Sequence, residues 1–164
     1  MEQFQVVSGG VAAAKGFQTA STAAGIKYKD RPDMAMIYSE QDCRLAGTFT
    51  TNVVKAAPVL WDKALVEGGK CARAVVINAG IANACTGKEG MDYCKQTAEC
   101  CGEVLNIPED SVLVASTGVI GMQLPMDRIT AGVKALAGVL SEGMLLCAED
   151  DKGNLALMTP EKKM

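Results

Sequence analysis

Ala115-Ser116-Thr117-Gly118-Val119-Ile120-Gly121 follows the apolar run Val112-Leu113-Val114 directly, so two hydroxyls and two glycines sit on a turn leaving a strand. Such a turn can aim bare backbone amides and a hydroxyl at a developing negative charge, the chemistry of an anion site; on the residues alone an ordinary strand-to-helix connection fits it equally. A second small-residue loop, Asn78-Ala79-Gly80-Ile81-Ala82-Asn83-Ala84-Cys85-Thr86-Gly87, carries two amide side chains and a threonine. Two readings fit it: the Asn side chains satisfy their own backbone and cap the next helix, or they bind substrate. Cys85 is set aside as a nucleophile because only Lys88 stands near it to activate a thiolate. The 164 residues hold no histidine, so acyl chemistry here cannot draw on a Ser-His-Asp or Cys-His arrangement of their own.

Phosphate cofactor chemistry loses most of its support. Ala82 stands where a P-loop ending at Gly87-Lys88 needs glycine, Glu89 follows where it needs Ser or Thr, and no Gly-x-Gly-x-x-Gly run occurs. With 16 Lys+Arg against 19 Asp+Glu, no basic stripe is available for nucleic acid. No apolar run reaches membrane-spanning length, and Met1-Glu2-Gln3-Phe4-Gln5 has the wrong composition for a signal peptide. Cys43, Cys71, Cys85, Cys94, Cys100, Cys101 and Cys147 are odd in number and poorly spaced for zinc, so they are expected to be reduced cytosolic thiols, with no metal.

These loops need a scaffold. Hydrophobic residues make up 49% of the chain and aromatics only 4%, which predicts one globular unit packed with aliphatics and Met. Residues 8–30 suggest loop and short-strand material around Ser8-Gly9-Gly10-Val11 and Ala23-Ala24-Gly25-Ile26. Met34–Ser39 and Leu45–Asn52 suggest two strands pairing as a hairpin across Glu40–Arg44, and Asp62–Leu65 one or two helical turns after Pro58. Ala72–Ile77, apolar on both faces, predicts a central strand. Met91, Cys94, Ala98, Cys101 and Leu105 recur as the stripe of a helix between Gly87 and Leu105, ended by Asn106-Ile107-Pro108. Ser111–Ala115 predicts the next strand, and Pro125 opens a helix running to about Leu140. Two strand-loop-helix units result, each with a polar glycine loop at its strand's carboxyl end. Beyond Gly143 the pattern fades, leaving a short strand at Leu155–Thr159 before Pro160.

Several segments occur here in the order of a known family: Ser8-Gly9-Gly10-Val11 with Lys15-Gly16-Phe17, Pro32-Asp33, Phe49-Thr50-Thr51-Asn52 with Lys55-Ala56-Ala57-Pro58-Val59, Asn83-Ala84-Cys85-Thr86-Gly87, and Ala115–Gly121 with Leu124-Pro125-Met126. Over roughly residues 8–140 the chain resembles the amino-terminal part of ornithine acetyltransferase, also called glutamate N-acetyltransferase, of the cyclic arginine pathway. The resemblance implies an α+β fold, a layered α/β sandwich of the amino-terminal-nucleophile-like type. It also implies a precursor that cleaves itself before a threonine, which becomes the nucleophile of a separate β chain and carries acetyl from N-acetylornithine to glutamate. An amino-terminal threonine serves as its own base through its α-amine.

By the same resemblance Thr117 and Gly118 form the oxyanion hole, and Thr159 corresponds to a substrate-contacting threonine. No cofactor is implied, acetyl-CoA being an alternative donor; the intact enzyme would be cytoplasmic, with two α and two β chains. Two departures stand out. Asn78-Ala79-Gly80-Ile81 replaces the family's usual Asn-Ser-Gly-Asn, and Met158-Thr159-Pro160-Glu161 replaces Met-Thr-Thr-Asp, with Pro160 restricting Thr159. The expectation is an α-chain-like domain over 1–140 with a divergent or truncated tail over 141–164, inactive alone because the nucleophile is absent. Two alternatives stay open: a non-catalytic structural or interaction domain, and a related amino-terminal-nucleophile peptidase.

Overall fold

The apolar run at 72–77 forms the strand around which the rest is built. In the computed structural model, which describes residues 10–142 together with the backbone of 146–149 and 155–158, this strand is β3, Cys71–Asn78. It is preceded by β1 (Phe17–Thr22), β2 (Met34–Arg44) and α1 (Ala57–Glu67). After it come α2 (Glu89–Leu105), β4 (Val112–Ser116) and α3 (Met126–Ala137), then the strands β5 (Leu146–Glu149) and β6 (Leu155–Met158). The main sheet has four strands in the order β1-β2-β3-β4, and β5 and β6 pair separately. β1, β2 and β3 run antiparallel in turn, whereas β3 and β4 are parallel.

β3 is interior in the sheet, as its composition predicts, but only one of its faces is fully buried. Ala72, Ala74 and Val76 join Met34 and Met36 of β2 and Val112 and Val114 of β4 beneath the helices. Cys94, Ala98 and Cys101 of α2 and Ile129, Val133 and Leu136 of α3 close this core, confirming Cys94 and Cys101 as core residues. Met91, at the head of the predicted stripe, is instead exposed. On the opposite face Phe17, Ile37, Val75 and Leu113 are half-buried and, with Cys43 and Leu45, line an apolar cavity of about 130 Å3.

Three expectations for the first half need correction. Residues 34–44 form one strand, so the hairpin across Glu40–Arg44 does not exist, and Leu45–Asn52 carries no strand. Arg73 explains why: its guanidinium donates to the Ser39 and Glu40 carbonyls and to the Tyr38 hydroxyl, holding the polar stretch as an irregularity between Tyr38 and Cys43. β2 finds its partner in β1, a Thr- and Ser-bearing strand within the stretch 8–30 expected to hold loop and short-strand material. α1 begins at Ala57 with Pro58 in its first turn and runs to Glu67, longer than the turns expected.

The second half follows its pattern. α2 ends where Asn106 turns left-handed at φ 53°, and the Ile107 N–H closes the end on the Gly102 carbonyl at 3.0 Å. α3 stops at Ala137, slightly short of Leu140. Among the described residues no helix is long and apolar enough to cross a membrane.

Candidate functional site

Because β3 and β4 are parallel and adjacent, the loops that follow them leave the same end of the sheet side by side. Their pairing continues past the strands. The Thr117 N–H donates to the Asn78 carbonyl at 3.0 Å, Val119 N–H to Gly80 at 3.2 Å, Ala82 N–H to Val119 at 2.9 Å, and Gly121 N–H to Ala84 at 2.8 Å. The Ser116 hydroxyl adds a side-chain link, accepting from the Asn83 N–H at 2.8 Å and donating to the Ile81 carbonyl at 3.3 Å. The two loops are therefore one zipped unit.

Gly118 sits at the tightest point of this unit. Its φ is +130°, and a β-carbon there would lie 2.7 Å from the Ile81 nitrogen and closer still to the Gly80 carbonyl group. Only glycine fits. Thr117 and Val119, on either side, spend their N–H groups on the first loop, and the alternation of a ladder leaves the intervening Gly118 N–H out of that pairing. Among the described residues neither the Gly118 N–H nor the Thr117 hydroxyl is hydrogen-bonded, and both residues are exposed.

Helix α1 covers the outer edge of β4 up to this point. Trp61 Nε1 donates to the Val112 carbonyl at 2.9 Å, and Asp62 accepts the Val114 N–H at 3.0 Å. Two side chains thus occupy backbone groups that an edge strand would otherwise expose. Burial pushes the Asp62 carboxyl up to about 6, against the opposing pull of the Val114 N–H. The Cys94 thiol is pushed up to about 12, by burial first and by the Asp62 charge second, so it stays protonated and inert at neutral pH.

The first loop is held by a buried amide network. Asn83, 1% exposed, donates to the Gly90 carbonyl and to the Cys94 sulfur, while its oxygen accepts from the Thr86 hydroxyl at 2.7 Å. Asn78 donates to the Ile81 carbonyl at 2.9 Å. Both amides are committed to groups of the fold, as the first of the two readings expects, but neither caps α2, whose N-terminus carries no side-chain cap. A further tie comes from Asp33, 3% exposed: its carboxylate accepts the Ala24 and Ile26 N–H groups and its carbonyl accepts the Ala79 N–H.

Of the residues singled out by sequence, Thr117 and Gly118 stand together on this unit, and Thr159 lies outside the described residues. Cys85 is exposed beside a cavity of about 220 Å3 lined also by Val54, Leu60 and Met91. Sequence reasoning missed the structural parts played by Ser116, Asp33 and Asp62. Asp33 carried a signal, since a carboxylate directly before a buried strand needs donors, but which amides supply them depends on the fold.

The family model described as the ArgJ family matches residues 18–163. Arginine biosynthesis bifunctional protein ArgJ of Gloeobacter violaceus is 44% identical over 142 residues, covering 87% of this chain and 35% of that protein. Its counterpart from Thermotoga neapolitana is also 44% identical, over 151 residues, covering 92% and 36%. The chain spans about a third of the length of these relatives. Among solved structures, ornithine acetyltransferase of Mycobacterium tuberculosis complexed with ornithine superposes with a TM-score of 0.80 at 41% identity, covering 85% of this chain and 75% of that one. The ArgJ crystal structure from Bacillus halodurans gives 0.71 at 40% identity, covering 76% and 64%.

Proposed function

The chain belongs to the ArgJ family, and on that footing we propose that its zipped loops supply the oxyanion-binding half of a site that moves acetyl from N-acetylornithine to glutamate. The observation that carries this reading is the pair of donors, the Gly118 N–H and the Thr117 hydroxyl, that no described residue binds, on a turn whose neighbouring amides are fixed. Preorganised donors of this kind stabilise an acyl oxyanion by a few kcal/mol each. The nucleophile, a threonine at the start of a β chain, belongs to the part of the family's length that these residues do not span.

The chemistry then runs in two steps. The threonine hydroxyl attacks the acetyl carbon of N-acetylornithine while its α-amine takes the proton. The carbonyl oxygen gains negative charge against Thr117 and Gly118, the C–N bond breaks, and the proton passes to the departing ornithine amine. Glutamate's amine attacks the resulting ester through a second tetrahedral intermediate held by the same donors, regenerating the threonine. On this reading the chain is inactive alone and works in the cytoplasm within an assembly of two α and two β chains. Thr159 contacts substrate, and the half-buried face of Phe17, Ile37, Val75 and Leu113 takes a second layer in the sandwich expected of the amino-terminal-nucleophile-like type.

The test is to produce this chain together with the β portion of an ArgJ relative and assay acetyl transfer, with acetyl-CoA as a second donor. Activity should require both chains, and Thr117→Ala should lower kcat by about a hundredfold or more. An unchanged kcat would overturn the assignment.

A further inference from the structure

Ser116 stands between the two loops and bonds to one of them twice. Its hydroxyl takes the Asn83 N–H and gives its proton to the Ile81 carbonyl, so it grips both sides of Ala82. Ile81, Ala82 and Asn83 are all buried, at 5%, 6% and 1% exposure. Gly80, the next residue back, is the surface against which Gly118 rests with no room for a β-carbon.

We propose that Ser116 is a positioning residue for acetyl transfer: through Ile81 and Asn83 its hydroxyl holds Gly80 against Gly118 and thereby sets the direction of the Gly118 N–H and the Thr117 hydroxyl. This rests on the oxyanion reading above. Two features separate the role from general stability. The β3–β4 ladder is made by backbone groups and does not involve the Ser116 hydroxyl, so sheet and core survive its loss. Removing it leaves the Asn83 N–H without a partner in a buried setting, and the first loop must shift to regain one. A shift of about 1 Å in preorganised donors is enough to cost about a hundredfold in rate.

The experiment compares Ser116→Ala and Ser116→Thr in two measurements. Amide hydrogen exchange by NMR on the purified chain should show Ser116→Ala raising exchange at Ala82, Asn83 and Val119 by about tenfold while Ala74–Ile77 stay unchanged. In the two-chain enzyme Ser116→Ala should lower kcat by about tenfold to a hundredfold with KM within about twofold, and Ser116→Thr, which keeps the hydroxyl, should restore both readouts. Unchanged loop exchange, a change in KM instead of kcat, or loop exchange rising without loss of kcat each overturns the positioning role. So does a rise that spreads to Ala74–Ile77, or a variant too unstable to purify, since the hydroxyl would then serve the fold at large. Thr117→Ala separates the two proposals. If it is silent, the oxyanion reading fails; if it is damaging while Ser116→Ala is silent, only the positioning role fails.

Discussion

Gly118 lies face to face with Gly80, and no β-carbon fits between the turn after β4 and the backbone of the loop after β3. The contact closes the two loops into a single unit with paired amides on either side.

Gly118→Ala therefore meets two costs at once, a left-handed φ of +130° and a collision with the Gly80 carbonyl group. The expected outcome is a loss of stability of about 1–3 kcal/mol in urea unfolding. With the β portion of an ArgJ relative supplied, the proposed oxyanion role makes it accompany a fall in kcat of about a hundredfold or more. A stable variant with full kcat would show that the close approach is not needed.

Asp62 gives a pH dependence of definite sign. Its carboxyl is raised from 3.8 to about 6, so the folded chain holds a proton that the unfolded chain releases. Its contribution is fully present below about pH 3.8 and is lost as pH rises through about 6. Asp62→Asn keeps an acceptor for the Val114 N–H and stays neutral. The melting temperature of the variant relative to the parent should rise between pH 4.5 and pH 7.5. An identical difference at both pH values would contradict this.

Asn83 bonds to Gly90, Cys94 and Thr86 from a position that is 1% exposed. Asn83→Ala leaves the Gly90 carbonyl and the Thr86 hydroxyl without these partners and opens a small void. A loss of about 2–4 kcal/mol is expected from chemical denaturation. A change below about 0.5 kcal/mol would mean that the network carries no weight.

Thiol labelling distinguishes the cysteines. Cys85 is exposed, whereas Cys94 and Cys101 are at 0% exposure with thiols pushed up to about 12. An aromatic disulfide reagent should modify Cys85 rapidly in the native chain and reach Cys94 and Cys101 only on unfolding. Rapid native labelling of Cys94 would refute the packing of α2 on the sheet.

Where apolar periodicity was strong, sequence and structure agree. The run 72–77, the Cys94-Ala98-Cys101 stripe and Pro125 before α3 each encode an element through contacts within a few residues, whereas Thr117-Gly118 reads equally as an ordinary strand-to-helix connection and was singled out only by the family resemblance. Met34–Arg44 was harder: its polar end looks like a turn in isolation. Arg73, distant in sequence, makes it part of a strand. β1 was legible only as short-strand material somewhere in residues 8–30, since Thr and Ser at its positions mark its bounds only once β2 lies alongside.

By itself, then, the sequence determined the two strand-loop-helix units and the chemical character of their loops, because local periodicity and turn chemistry suffice for both. Tertiary structure alone decided that the loops become one zipped unit. The parallel pairing of β3 and β4 brings Gly80 under Gly118 and Ile81 and Asn83 within reach of Ser116, across more than thirty residues of chain. No local rule encodes that approach, since it depends on packing α2 against the sheet and returning the chain beside β3.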